Sequence, residues 1–313
     1  MRPPTPPEPQ ANSAPFSTRT HLPHAMNAPT HRPTEELEFR LHGRLLAAKR
    51  WGTAGGRPTL ALHGWLDNAN SFDVLAPMLP ELDIVALDFA GHGLSDHRQP
   101  GVNYLGVLDV QDAIGVAGLL GWQQFDLIGH SMGAEVGGNL IGLFPERVRR
   151  MVGIDGFTEG TTEERIQSFL RKSIEDNLTR AAQGTKVFAS QEAMAVRVAE
   201  ATGQSVASAR LLVARGSTLV EDGFTWRSDT RVRWSDNLRL SNEQVDGILT
   251  RYPGQVLVIA AKDGSNWYRA TVASRLGRFP NLQRIELPGN HHFHMDEATA
   301  RPIAEAIRTF MAD

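Results

Sequence analysis

Gly129-His-Ser131-Met-Gly133 lies where a short apolar run, Phe125 to Ile128, gives way to a small-residue stretch from Met132 to about Phe144, closed by Pro145. A strand that turns this sharply into a helix leaves no room for side chains two residues before and two after the central serine, and glycine occupies both places. Ser131 must then adopt a strained backbone conformation, with its hydroxyl exposed at the sheet edge and at the N-terminus of the next helix. The apolar run before and the helical pattern after distinguish this nucleophile elbow from a Gly-Ser linker that matches by accident.

Strand and helix patterns alternate on both sides of the elbow. Leu37 to Leu41 and Leu45 to Arg50 flank a His42-Gly43 turn and predict a hairpin. Strands are expected at Pro58 to Leu62, Asp83 to Leu87, Phe125 to Ile128, Met151 to Ile154, Val256 to Ala260 and Gln283 to Leu287, with helices at Ser71 to Leu79 and Leu105 to Leu120. Short, wholly apolar strands separated by helices imply an α/β fold, a mostly parallel sheet covered on both faces. The rhythm breaks over 156–252, where charged, helix-periodic segments run from Glu163 to Leu178, Gln191 to Ala201, Ser205 to Leu219 and Glu243 to Arg251, with a strand suggested only near Phe224 to Trp226. This stretch is expected to be a helical lid inserted into a core of residues 34–155 and 253–313.

Residues 1–33 hold half of the chain's 18 prolines and almost no aliphatic side chains, so they are expected to be disordered, with Met26 a candidate alternative start. The chain has no cysteine, which excludes disulfides, thiolate metal sites and a cysteine nucleophile. A net charge of −3 gives no broad basic surface for nucleic acid. No apolar stretch is long enough to span a bilayer, so a soluble, cytoplasmic protein without membrane partners is the expectation; the oligomeric state is not readable.

A serine hydroxyl at neutral pH needs a neighbour to accept its proton, and histidine suits that task. The cluster Gly289-Asn-His291-His292-Phe-His294-Met-Asp296 follows the last strand and precedes the final helix, at the end of the sheet where the elbow emerges. His42 falls in a turn and His130 must point away from the elbow. The order His292-x-His294-x-Asp296 also occurs in some zinc hydrolases, but a further histidine after the aspartate and a second ligand cluster are both missing, so no metal and no cofactor are expected.

A carboxylate should hold the imidazole in its tautomer, and strand-turn-helix hydrolases order their residues serine, acid, histidine. Asp263, just past the strand Val256 to Ala260, meets that order and is the expected acid; Asp155, at the end of the strand after the elbow helix, is the alternative. Oxyanion donors are expected from the backbone N–H of Met132, placed by the elbow, and of Trp65, which follows the strand end Leu60-Ala-Leu-His63-Gly64. His63 itself is expected to shape that loop. Asp88-Phe-Ala-Gly91-His92-Gly93-Leu-Ser95 is expected to be a compact turn whose polar side chains satisfy its own backbone.

His63-Gly64-Trp65, Asp88-x-x-Gly-His-Gly-x-Ser95, Gly129-His-Ser131-Met-Gly133, Lys262-Asp263 and Gly289-Asn-His291 resemble, in their order, the α/β-hydrolase superfamily, from about Leu37 to the C-terminus. Leu62-His-Gly-Trp-Leu-Asp-Asn-Ala-Asn-Ser-Phe72 and Gly289-Asn-His-x-x-His294-Met resemble more narrowly the serine hydrolase-like proteins. The resemblance implies Ser131 as nucleophile, a late acid and, five positions before Asp296, His291 as base. Not all members of the narrower group keep an aspartate where Asp263 stands, and some have one matching Asp155. The expected function is hydrolysis of a carboxylic ester or related small acyl compound through an acyl-enzyme. Lactone opening, carbon–carbon hydrolysis and perhydrolysis use the same residues, and a catalytically silent ligand-binding protein could keep the scaffold.

Overall fold

The computed structural model describes residues 31–53, 55–179, 186–234 and 239–312. Most of the segment expected to be disordered therefore lies outside the described residues, Met26 included. Residues 31–33 do not: they belong to the first strand, which begins ahead of the boundary expected from composition.

The first strands are β1 (His31–Leu41), β2 (Arg44–Thr53), β3 (Arg57–Leu62) and β4 (Leu82–Leu87), followed by helix α1 (Gly106–Leu119). Then come β5 (Phe125–His130), α2 (Met132–Leu143) and β6 (Val148–Ile154). Helices α3 (Glu163–Thr179), α4 (Gln191–Thr202) and α5 (Val206–Gly216), the hairpin of β7 (Ser217–Val220) and β8 (Gly223–Trp226), and α6 (Asn242–Leu249) precede β9 (Gln255–Asp263). The chain ends with α7 (Arg269–Leu276), β10 (Leu282–Asn290) and α8 (Glu297–Ala312).

Eight strands form one sheet in the order β1-β2-β4-β3-β5-β6-β9-β10. The pairs β1/β2 and β2/β4 are antiparallel, and every other neighbouring pair is parallel. The opening hairpin turns at His42 and Gly43, with φ of 50° and 75°, the two positive values that a tight two-residue turn matched to strand twist requires.

The central strands are apolar on both faces because helices cover both. Leu60, Leu62, Leu127, Met151 and Val258 face α1 and α2, where Val110, Ala113, Val116, Val136 and Leu140 meet them. The alternate residues Ala61, Ile128, Val152 and Ile259 face α8. That helix buries Ala300, Ile303, Ala304, Ile307 and Met311 at helical spacing.

Two expectations change. The helix expected over Ser71 to Leu79 is instead a pair of 3-10 turns, Ala69–Phe72 and Ala76–Met78. Pro77 has no N–H for a continuous ladder, and Asn68 caps the first turn by accepting from the Asn70 amide. The helix expected from Ser205 to Leu219 stops at Gly216, and the chain turns extended to pair β7 with β8, which supplies the missing partner for Phe224 to Trp226. Ser190, Ser205 and Ser241 cap the helices that follow them. Among the described residues, no helix is long and apolar enough to cross a membrane.

The core should behave as packed rather than adaptable around β5. Leu127 is completely buried against α2, and Leu127→Ala should cost about 2–5 kcal/mol. Urea denaturation measures this; a change below about 1 kcal/mol would mean the layer collapses onto the cavity.

Candidate active site

Three backbone approaches shape the turn after β5. A Cβ at Gly133 would lie 2.0 Å from the Leu62 carbonyl oxygen, one at Gly129 would lie 2.5 Å from the Gly133 oxygen, and one at Gly156 would lie 2.8 Å from Ser131 Cα. No side chain fits at any of them. Ser131 sits between at φ 51° and ψ −116°, a conformation L residues rarely adopt. It is held by its own N–H donating to Ile154 O (3.1 Å) and by the Ala134 and Glu135 amides donating to its carbonyl. The first two glycines are recognisable from sequence; Gly156 carries no such signal because its neighbour is remote in the chain.

His291 follows directly on β10, whose end bends at Gly289 (φ 137°), where a Cβ would strike Phe293. Its Nε2 lies 2.9 Å from Ser131 Oγ and its Nδ1 lies 2.6 Å from Asp155 Oδ2. An Nδ1–H donating to the carboxylate leaves the Nε2 lone pair directed at the serine hydroxyl. The imidazole is thereby in the tautomer needed to accept the Ser131 proton.

Asp155, and not Asp263, reaches the imidazole. Asp263 ends β9 with its side chain exposed, its backbone paired in register with Asn290. Asp155 follows β6, fully buried, at φ 42°. Its Oδ1 accepts from the Ala261 amide (3.0 Å) and Tyr268 Oη (2.7 Å), and its Oδ2 from the Ser265 amide (2.8 Å) and His291. Burial alone would raise its pKa, but the hydrogen bond from His291, the two amides and Tyr268 together hold it below the ordinary carboxylate range.

Gly264, the residue after Asp263, forms part of the wall around the Asp155 carboxylate. A Cβ at Gly264 would lie 2.3 Å from Asp155 Oδ2. Tyr268 carries no sequence signature, being a lone tyrosine at the N-cap of α7.

Trp65 and Met132 both line the cavity of about 660 Å³ onto which Ser131 opens, together with Phe169, Trp234 and Trp267. The Trp65 indole donates to Val232 O (2.8 Å), tying the strand-end loop to the segment between β6 and β9. His63 is buried, its Nδ1–H donating to Gly64 O (2.7 Å) while its Nε2 accepts from the Phe89 amide (3.1 Å). Burial pushes its pKa down to about 4. Asp88 accepts from the Ala69 and Leu94 amides and from Arg215 Nε, while Ser95 Oγ donates to Asp88 O. These groups bind the loops to one another.

His130 reaches below the elbow, its Nε2–H donating to the His291 carbonyl (2.9 Å). Burial pushes its pKa down to about 4. The order His292-x-His294-x-Asp296 does not assemble as a ligand set: His294 Nε2 meets Ser71 Oγ at 2.8 Å, and Asp296 accepts from Ser205 and Ser208.

Asp155's lowered pKa fixes a sign. Its ionised form stabilises the fold above its ordinary value of 3.8, and that contribution is lost as pH falls through the lower folded-state value. Urea stabilities of the chain and of Asp155→Asn should therefore converge in acid; a gap that stays constant well below the ordinary carboxylate pKa would contradict the hydrogen-bond set. Gly264→Ala should push Asp155 off His291, and because such overpacking costs about 1–3 kcal/mol, the variant should fold but lose the low-field His291 proton signal in the NMR spectrum. An unchanged signal would show that the loop yields instead.

The family model for the alpha/beta hydrolase fold matches residues 58–298. Serine hydrolase-like protein 2 of Homo sapiens is 33% identical over 297 residues, covering 88% of this chain and 93% of that protein. The serine hydrolase-like protein of Mus musculus is 33% identical over 285 residues, covering 84% and 91%. Among solved structures, a hypothetical protein from Pseudomonas aeruginosa superposes with a TM-score of 0.84 at 37% identity, covering 89% of this chain and all of that one. The thioesterase domain from the curacin biosynthetic pathway, at 21% identity and a TM-score of 0.78 over 88% of this chain and 99% of its own, shares the fold. The chain belongs to the α/β-hydrolase fold family and, within it, to the serine hydrolase-like proteins.

Proposed function

We propose that this protein is a serine hydrolase that cleaves a carboxylic ester or related acyl compound through an acyl-enzyme. The observation that carries the reading is the continuous contact from Ser131 Oγ to His291 Nε2 (2.9 Å) and from His291 Nδ1 to Asp155 (2.6 Å). Ser131 Oγ attacks the acyl carbonyl as its proton passes to His291 Nε2, and the N–H groups of Met132 and Trp65 take the charge that develops on the carbonyl oxygen. His291 then gives that proton to the leaving alkoxide. Water, deprotonated by the same nitrogen, attacks the acyl group; the ester bond to Ser131 breaks and its oxygen takes that proton back from His291. Asp155 keeps its negative charge throughout and stabilises the imidazolium.

Residues 156–252 act as the lid. They supply Phe169, Arg233 and Trp234 to the wall of the cavity that Ser131 also lines, so the acyl group is enclosed by residues of both the sheet's loops and the insertion. No cofactor takes part in this scheme.

A fluorophosphonate probe should label the chain, and Ser131→Ala should abolish the label. With a short-chain p-nitrophenyl ester, Asp155→Asn should lower turnover on the order of 10⁴-fold, as loss of a triad acid does elsewhere, while Asp263→Asn leaves it nearly unchanged. Labelling that persists in Ser131→Ala, or a crippled Asp263→Asn beside a healthy Asp155→Asn, would overturn the assignment. A panel of esters and lactones then identifies the acyl class.

A further inference from the structure

Behind the catalytic histidine lies a second group of polar side chains that the proposed reaction does not use. Asp67, His130 and His292 are all buried, with exposures of 4%, 0% and 7%. One ligand atom from each lies within 4.8 Å of the others. His130 Nδ1 stands 3.3 Å from Asp67 Oδ2, and His292 Nε2 stands 3.5 Å from Asp67 Oδ1.

The tautomer of His130 makes this arrangement informative. Its Nε2 faces the His291 carbonyl oxygen, which can only accept, so the ring proton is on Nε2. In the neutral ring, Nδ1 then carries a lone pair, and that lone pair faces a carboxylate oxygen. Among the described residues Nδ1 makes no hydrogen bond. Two electron-rich atoms brought together in a buried place need a cation between them.

We propose that Asp67, His130 and His292 form a binding site for a divalent cation of the zinc class. Two imidazole nitrogens and a carboxylate suit a borderline transition metal better than calcium or magnesium, which favour all-oxygen shells. Bonds of about 2.0–2.2 Å in a tetrahedral site set neighbouring ligand atoms roughly 3.3–3.5 Å apart; His130 Nδ1 stands at that separation from one oxygen of the Asp67 carboxylate and His292 Nε2 from the other, and one ligand atom of each residue already lies within 4.8 Å of the other two.

The surroundings fit as well. Metal-bound histidines commonly donate their other ring N–H to a backbone carbonyl, as His130 does to His291. Ser71 Oγ donates to Asp67 Oδ2 (3.3 Å) and accepts from His294 Nε2 (2.8 Å), which orients the carboxylate. Gly64 leaves the space open: a Cβ there would lie 2.8 Å from His130 Nδ1 and 3.0 Å from Asp67 Oδ2. His292 presents Nε2 to the carboxylate, and its Nδ1 has no hydrogen-bond partner among the described residues.

The site is separate from the triad but linked to it. Because His130 also holds the His291 carbonyl, a cation on its Nδ1 fixes the loop that presents the base. The proposal does not depend on Ser131 being a nucleophile.

The untagged full chain, stripped with a chelator and desalted, is titrated with zinc chloride alone and analysed for metal content. About one equivalent should be retained, and cobalt in its place should give the intense visible absorption of a tetrahedral site. His291→Ala should retain the metal, whereas Asp67→Asn and His130→Ala should each weaken binding by at least about tenfold, one lost ligand being more severe than a lost outer-shell partner. If the ligand variants fail to fold, the cobalt spectrum of the unsubstituted chain decides. Retention below about a tenth of an equivalent, the weak spectrum of hexa-aqua cobalt, or loss of metal in His291→Ala with retention in Asp67→Asn would each overturn the proposal; the first two would leave a shared proton between His130 and Asp67.

Discussion

The approach of helix α2 to the end of strand β3, with Gly133 against the Leu62 carbonyl, is the contact on which the rest of the site depends. Only a glycine permits the helix to begin so close to the sheet, and only a helix that begins there places Ser131 at a positive φ with its hydroxyl at His291. Such a conformation costs on the order of 1–3 kcal/mol and persists where neighbours over-determine it. Here they do so through the Ile154 carbonyl, the first helical amides and the flanking Gly129 and Gly156.

The same device recurs one strand along. Asp155 also leaves its strand at positive φ, which aims its carboxylate across the C-terminal edge of the sheet. Because β6 lies between β5 and β9, the residue after β6 stands beside the elbow on one side and beside the loop after β9 on the other. The end of β9 donates the Ala261 amide to the carboxylate, and the loop after it donates the Ser265 amide and Tyr268 Oη. Keeping Asp155 charged in a buried place takes this many donors, since an ionised carboxylate without them would be neutralised.

Under these residues lies a buried polar layer of histidines and acids. His130 links it to the base by one hydrogen bond to the His291 carbonyl. His63 and Asp88 secure the neighbouring loops through hydrogen bonds made mostly to backbone groups. The loops that carry Ser131, Asp155 and His291 are thus supported from below by polar side chains rather than by the apolar core alone, which gives most of the clustered histidines a structural part.

Local chain chemistry determined the elbow, the alternation of apolar strands and helices, the hairpin at His42-Gly43 and the histidine-rich loop after the last strand, because each rests on the backbone preferences or the periodicity of neighbouring residues. The resemblance of its motifs singled out His291 among three candidates. Tertiary structure decided what depends on strand order: that Asp155 meets His291 while Asp263 faces outward, that Tyr268 completes the shell around Asp155, and that Asp67 from the loop after β3 meets His130 at the end of β5 and His292 after β10. Chain order permits either aspartate. Only the lateral packing of β6 between β5 and β9 brings one carboxylate within 2.6 Å of the imidazole, and no spacing along the sequence encodes that distance.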